Sequence, residues 1–217
     1  MSFPIVVLIS GSGSNLQALI DQSLQGKLDI TISAVVSNKA DAFGLERARK
    51  AGIPTHVLDH KSFGSREEFD QSLQEVIDQY QPKLVVLAGF MRILTDSFTR
   101  HYEGRMLNIH PSLLPKYKGL DTHQRAIDAN DKEHGVSVHF VSAELDAGSV
   151  IVQARTQIEA TDTADSLAEK IHKLEHVIYP LAVKWFSEGR LTVNNGKALL
   201  DGQPLPESGA DYKEVPE

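Results

Sequence analysis

Asn108 and His110 stand two residues apart in the segment Asn108-Ile109-His110-Pro111-Ser112-Leu113-Leu114-Pro115. In extended backbone, residues at that spacing project to the same side. An amide donor and a titratable imidazole therefore emerge together, next to a proline-rich bend. Such a pair can hold a carbonyl oxygen while negative charge develops on it. The alternative is a strand end with a polar tip and a proline stop, and these residues alone do not separate the two.

Further segments carry chemistry. Gly11-Ser12-Gly13-Ser14-Asn15 follows an apolar run and precedes Leu16, Leu19, Ile20 and Leu24 at helical spacing. Strand, glycine-rich turn and helix is the layout that turns backbone N–H groups toward an anion. The pattern has neither the lysine of a Walker A loop nor the third glycine of a dinucleotide fingerprint. Phosphate binding and a tight turn capped by Ser14 or Asn15 fit it equally. Arg66 sits in the first turn of a helix, where a cation opposes the macrodipole and an anionic ligand would relieve the conflict. Residues 88–94, Ala-Gly-Phe-Met-Arg-Ile-Leu, form an apolar loop at a strand end, suited to lining a pocket for a flat ring. Asp146 is the carboxylate to set beside His110, where it would orient the imidazole and favour its charged form. Taken alone it reads as a residue shaping the turn before Gly148. His139 shares a strand side with Ser137, a side that would face the same cleft, while a lone strand histidine is more often structural. His172, Glu175 and His176 lie within one turn but lack the H-E-x-x-H spacing, so a solvated helix face is the better reading.

The whole chain bounds these readings. Its 217 residues fit one α/β domain, expected over 1–202, with a loose tail over 203–217. The net charge of −7 disfavours a general nucleic-acid or membrane surface. The absence of cysteine excludes disulfides, thiol catalysis and cysteine-bound zinc, and fits a cytoplasmic protein. Residues 1–10 read as a first strand, not a signal peptide, and no apolar run approaches a membrane span.

The positioning elements follow from periodicity. Residues 5–9, 30–36, 55–58 and 84–87 read as strands, and a fifth enters the motif through residues 104–107. Helices alternate with them. One opens at Ser65 with a capping box to Glu68 and a buried stripe of Phe69, Leu73, Val76, Ile77 and Tyr80. Another is capped by Thr95. The βαβαβαβαβ order predicts a mostly parallel, twisted, Rossmann-like sheet with helices on both faces. Ligands then bind beyond the carboxyl ends of the strands, where the turns after strands one, four and five fall. Asp121 or Thr122 should cap a helix through Ala129. Residues 135–141 alternate like a strand with one buried face. A long helix should run from Thr163 to Gly189, with Leu167, Ile171, Leu174, Ile178 and Leu181 inward and Pro180 kinking or dividing it. A hairpin around Asn195-Gly196 should follow.

Ser10-Gly-Ser-Gly-Ser-Asn15, residues 88–94, Leu107 to Tyr117, and Glu133 to Val141 with Leu145-Asp-Ala-Gly148 resemble the phosphoribosylglycinamide formyltransferases. These are folate-dependent enzymes of purine biosynthesis, and the resemblance covers almost the whole chain. It implies transfer of the formyl group of 10-formyltetrahydrofolate to the amine of glycinamide ribonucleotide, without a metal. It implies Asn108, His110 and Asp146 as catalytic residues, and Gly13, Ser14 and Asn15 on the substrate phosphate. Glu175 would contact the ribonucleotide. Arg66, Met91, Arg92, Ile93, Leu94, Asn108, Val141 and Asp146 would bind folate. A cis Leu114–Pro115 bond is also implied. Ser12, Lys118 and Asp121 depart from the family's usual Asn, Pro and His, the last two in a loop touching the folate tail. A formyltetrahydrofolate hydrolase, with water as acceptor, and a non-catalytic folate or nucleotide binder are the competing readings.

Overall fold

The computed structural model describes residues 2–214, and the chain divides after Asn108 into two compact units. The first carries strands β1 (Phe3–Ile9), β2 (Ile30–Ser37), β3 (Thr55–Val57), β4 (Leu84–Leu87) and the start of β5 (Met106–His110). Between them run helices α1 (Ser14–Leu24), α2 (Gly44–Lys50), α3 (Arg66–Asp78) and α4 (Asp96–His101). The strands lie in the order β3-β2-β1-β4-β5, and every pairing is parallel. Ile5 to Ile9 and Leu84 to Val86 have no exposed surface, which explains why both strands are continuous apolar runs. Each such side chain contributes roughly 1.5–3 kcal/mol through burial.

Register places the functional loops. Leu8 pairs with Leu87, and Leu87 with Asn108. The carboxyl ends of β1, β4 and β5 are therefore level, and the 11–15 turn, the 88–94 loop and Asn108 share one sheet edge, as the strand order predicts.

The second unit holds the end of β5, helix α5 (Thr122–Asp128), β6 (Glu133–Phe140), β7 (Val150–Gln157) and helix α6 (Ala164–Ser187). It continues with β8 (Leu191–Asn194), β9 (Lys197–Leu200), β10 (Gln203–Pro204) and β11 (Ala210–Asp211). β6 and β7 are antiparallel, α6 packs on both, and β11 lies parallel to β7. β8, β9 and β10 form a separate antiparallel sheet. Its first turn places Asn195 and Gly196 at φ 48° and 73°, the positive angles that favour Asn-Gly in a tight hairpin. The sheet is thus mixed and mostly parallel, a Rossmann-like arrangement with a long C-terminal helix and hairpin.

Several local expectations are corrected. Helix α1 is capped by Gly13 at φ 69°, so Ser14 and Asn15 are its first helical residues, not its cap. Only half of the α3 capping box forms. Ser65 accepts from the Glu68 N–H, but the Glu68 carboxylate takes the Gly64 N–H. Buried Asp70 joins the α3 stripe, while Val76 and Tyr80 stay half-exposed. Asp121 is the N-cap of α5 as expected, but without a side-chain hydrogen bond, and the Thr122 hydroxyl donates to the Pro111 carbonyl at 2.6 Å. Strand β5 runs on through His110. β6 is buried on both faces from His134 to Phe140, since α6 and the core cover it. Pro180 does not divide α6, and Leu174 and Leu181 are half-buried while Glu175 points inward.

Candidate active site

The glycine-rich turn is built to bring backbone close. A Cβ on Gly13 would lie 2.5 Å from the Gly44 Cα, at a positive φ that L side chains rarely adopt. Helix α2 therefore braces the turn. The Gly44 N–H donates to the Gly11 carbonyl at 3.0 Å, and Arg47 Nε to the Ser12 carbonyl at 2.8 Å. Ser12 is thus used through its main chain. Helix α1 has no side-chain cap and no acid in its first turn, so its leading N–H groups are arranged for an anion.

The 88–94 loop is pinned at two points. The Met91 N–H donates to the Ser10 hydroxyl at 2.7 Å, and the Thr95 N–H to Asp70 Oδ2 at 2.6 Å. Asp70 is buried, and burial raises its pKa against the opposing Thr95 hydrogen bonds and the charges of Arg66 and Arg92. Arg66 is exposed at the start of α3, and the Arg92 guanidinium lies 5.5 Å from the Phe69 ring centroid. Between the pins Met91 is 63% exposed and Ile93 57%, while Leu94 is buried. Large apolar side chains held out from a fixed main chain suit a flat hydrophobic ligand.

In the second unit His110 is buried with each ring nitrogen facing an oxygen. Nε2 stands 2.8 Å from the Tyr117 carbonyl and Nδ1 3.4 Å from Asp146 Oδ2. A carbonyl only accepts, so Nε2 carries hydrogen and Nδ1 is the ring nitrogen turned to the carboxylate. Asp146 is buried at φ 48° and also accepts the Gly119 N–H at 3.0 Å. His139 completes the cluster. Its Nδ1 donates to the Phe140 carbonyl at 2.9 Å, and its Nε2 lies 3.8 Å from Asp146 Oδ1. Burial lowers the His139 pKa, more than the Asp146 charge raises it, and keeps the ring neutral. A second histidine thus stands beside the Asp146 carboxylate.

Buried hydrogen bonds fix the bend after His110. The Ser137 hydroxyl accepts from the Leu114 N–H and from Gln153 Nε2, and donates to the Ser112 carbonyl. Gln153 Nε2 also donates to the Leu114 carbonyl, and the Ser112 hydroxyl to the Lys116 carbonyl. The Leu114–Pro115 bond is cis, as the resemblance implies. Gly148 seats the 141–148 turn against the end of β6, since a Cβ there would fall 1.7 Å from the Phe140 carbonyl oxygen. Lys118 pairs with Glu144 of that turn at 2.9 Å. Val141 is half-exposed at its start, and Glu175 is buried on α6. Among the described residues no group of three or more His, Asp or Glu side chains could hold a metal ion, the 172–176 face included.

The formyl transferase family model matches residues 4–183, and the chain belongs to that family. It is 58% identical over 205 residues to the phosphoribosylglycinamide formyltransferase of Escherichia coli K12, covering 94% of this chain and 97% of that one. The trifunctional purine biosynthetic protein adenosine-3 of Gallus gallus is 44% identical over 87% of this chain, which matches 19% of that longer protein. The solved phosphoribosylglycinamide formyltransferase of Coxiella burnetii superposes with a TM-score of 0.94 at 56% identity, covering 98% of this chain and all of that one.

Proposed function

We infer that the protein transfers the formyl group of 10-formyltetrahydrofolate to the primary amine of glycinamide ribonucleotide in purine biosynthesis, with Asn108, His110 and Asp146 as the catalytic residues. The observation that carries this reading is the buried His110–Asp146 pair beside Asn108 on β5, within a chain 58% identical to a formyltransferase of that name.

The amine attacks the formyl carbon, and the carbonyl oxygen becomes a tetrahedral oxyanion. The Asn108 amide donates to it, worth about 3 kcal/mol in the transition state, and His110 adds its charge while Nδ1 holds the proton taken from the amine. The attacking nitrogen must lose a proton and the departing folate nitrogen must gain one. His110 Nδ1, with Asp146 beside it, is the group placed to pass that proton. Collapse of the intermediate breaks the bond to the folate nitrogen, giving formylated ribonucleotide and tetrahydrofolate.

Gly13, Ser14 and Asn15 hold the ribonucleotide phosphate through backbone N–H groups and the α1 N-terminus, and Glu175 contacts the same substrate. Met91, Arg92, Ile93, Leu94 and Val141 bind the pterin, with Asn108 and Asp146 reaching both substrates and Arg66 beside the folate. Both partners are small molecules, and no described helix is long and apolar enough to cross a membrane. The acidic, cysteine-free chain suits the cytoplasm.

The test is loss of the formyl group, followed spectroscopically with and without glycinamide ribonucleotide. Turnover that requires the ribonucleotide is expected. Formyl loss without it would make the protein a hydrolase and remove the phosphate assignment.

A further inference from the structure

Ser10 lies between two loops that the proposed function gives to different substrates. It is 4% exposed and immediately precedes the 11–15 turn. Its hydroxyl donates to Asn38 Oδ1 at 2.5 Å and accepts the Met91 N–H at 2.7 Å. A hydroxyl has one hydrogen, so giving it to Asn38 leaves the lone pairs turned toward residue 91. Asn38 is itself 1% exposed, and its Nδ2 faces His60 Nδ1 at 3.3 Å.

The position matters because the backbone ladder ends just before it. The Ala88 N–H donates to the Leu8 carbonyl at 2.8 Å. Beyond that bond β1 and β4 turn into their loops, and the Ser10 hydroxyl carries the connection onward. The link joins residues 81 apart in sequence. The other end of the 88–94 loop is fixed by Asp70, which belongs to α3 and not to the phosphate turn. Ser10 is therefore the anchor through which a change in one loop reaches the other.

We propose that Ser10 is a positioning residue that couples the two substrate sites. Ordering of the 11–15 turn around a phosphate steadies the Ser10 hydroxyl, which steadies the Met91 N–H and the apolar loop behind it. One ligand then meets part of the ordering cost of the other, so the coupling is positive and reciprocal. This inference rests on the assignment of the turn to phosphate and of the loop to folate.

The experiment measures tetrahydrofolate binding to the full chain by calorimetry, with and without saturating glycinamide ribonucleotide, a pair that cannot react. In the unaltered protein the ribonucleotide should tighten tetrahydrofolate binding about five-fold or more. In Ser10→Ala the ratio should fall to near one, while each ligand alone still binds. Ser10→Thr keeps the hydroxyl and should restore the ratio, and Asn38→Ala, which frees the hydroxyl to rotate, should lower it. A structural role alone would weaken both ligands and leave the ratio intact. A wild-type ratio in Ser10→Ala, or no coupling in the unaltered protein, would overturn the proposal. Should Ser10→Ala not fold, Asn38→Ala decides alone: a wild-type ratio there refutes the coupling. Gly13→Ala, which disturbs the backbone of the turn, tests the underlying assignment separately. Ribonucleotide affinity unchanged in it would refute the phosphate turn itself, whatever Ser10 does.

Discussion

His110 holds its Nε2 hydrogen against the Tyr117 carbonyl at 2.8 Å and leaves Nδ1 3.4 Å from Asp146. The shorter contact is to the main chain, so the peptide after the cis proline sets the ring's orientation and tautomer. The carboxylate is left to follow the proton.

Replacing Asn108 or His110 by Ala should lower the turnover number at least about 100-fold, the usual cost of losing one oxyanion donor. Far-ultraviolet circular dichroism should be unchanged, because Asn108 is only half-buried and β5 is held by its neighbours. Turnover near that of the unaltered enzyme in either variant would remove that residue from the mechanism.

Asp146→Asn keeps an oxygen for the Gly119 N–H but removes the charge beside Nδ1. The turnover number should drop while ribonucleotide affinity holds, since the phosphate turn is not involved. Steady-state kinetics with equilibrium binding separates the two effects. An equal loss in both would mean that the residue merely shapes its turn.

Gly13→Ala should weaken the fold by about 1–3 kcal/mol, the usual cost of a residue forced into a sparsely populated backbone region. The added methyl also meets Gly44 at 2.5 Å. Urea unfolding measures the first effect. Ribonucleotide titration should show a larger loss than tetrahydrofolate titration.

A pH dependence arises away from the chemistry. His134 is 1% exposed and its ring faces that of His123, Nε2 to Nδ1, at 3.0 Å. Burial, and then the His123 charge, depress its pKa to about 4, against the pull of Asp131 and the Pro111 carbonyl. Burial, and then His172 and His110, also lower that of His123. An unfolded histidine titrates near 6.5, so between about 6.5 and 4 the unfolded chain binds more protons and stability is lost as the pH is lowered, by a few kcal/mol at most. Above 6.5 the pair costs nothing. Melting temperatures at pH 7.5 and 5 should therefore differ more for the unaltered protein than for His134→Gln, and equal differences would count against the assignment.

How much of this was legible in the sequence depends on the range of the interaction. β4 ends where its apolar run ends, and Thr95 and Thr163 cap their helices as placed, because those signals lie within one turn. The 11–15 turn, the 88–94 loop and Asn108 could be set on one edge from strand order alone. Asp70 and Ser10 leave no local signal, because each owes its role to a partner distant in sequence: Thr95 for Asp70, and Asn38 and Met91 for Ser10. β6 looked half-buried because Ser137 and His139 are polar, yet both are satisfied inside. Polarity in a strand reports solvent only when no internal partner exists.

β11 offers a last consequence. Ala210 and Asp211 lie beside Val152 and Gln153, and Gly209 sits so close that a Cβ would fall 2.7 Å from the Ile151 carbonyl carbon. This short strand occupies part of the outer edge of β7, which would otherwise present unpaired peptide groups to any passing chain. Proteolysis or truncation ahead of Gly209 would uncover them, and a preparation trimmed there would be expected to cluster on storage while keeping its catalytic groups. This two-residue strand thus stands between the β7 edge and any further strand that would pair with it.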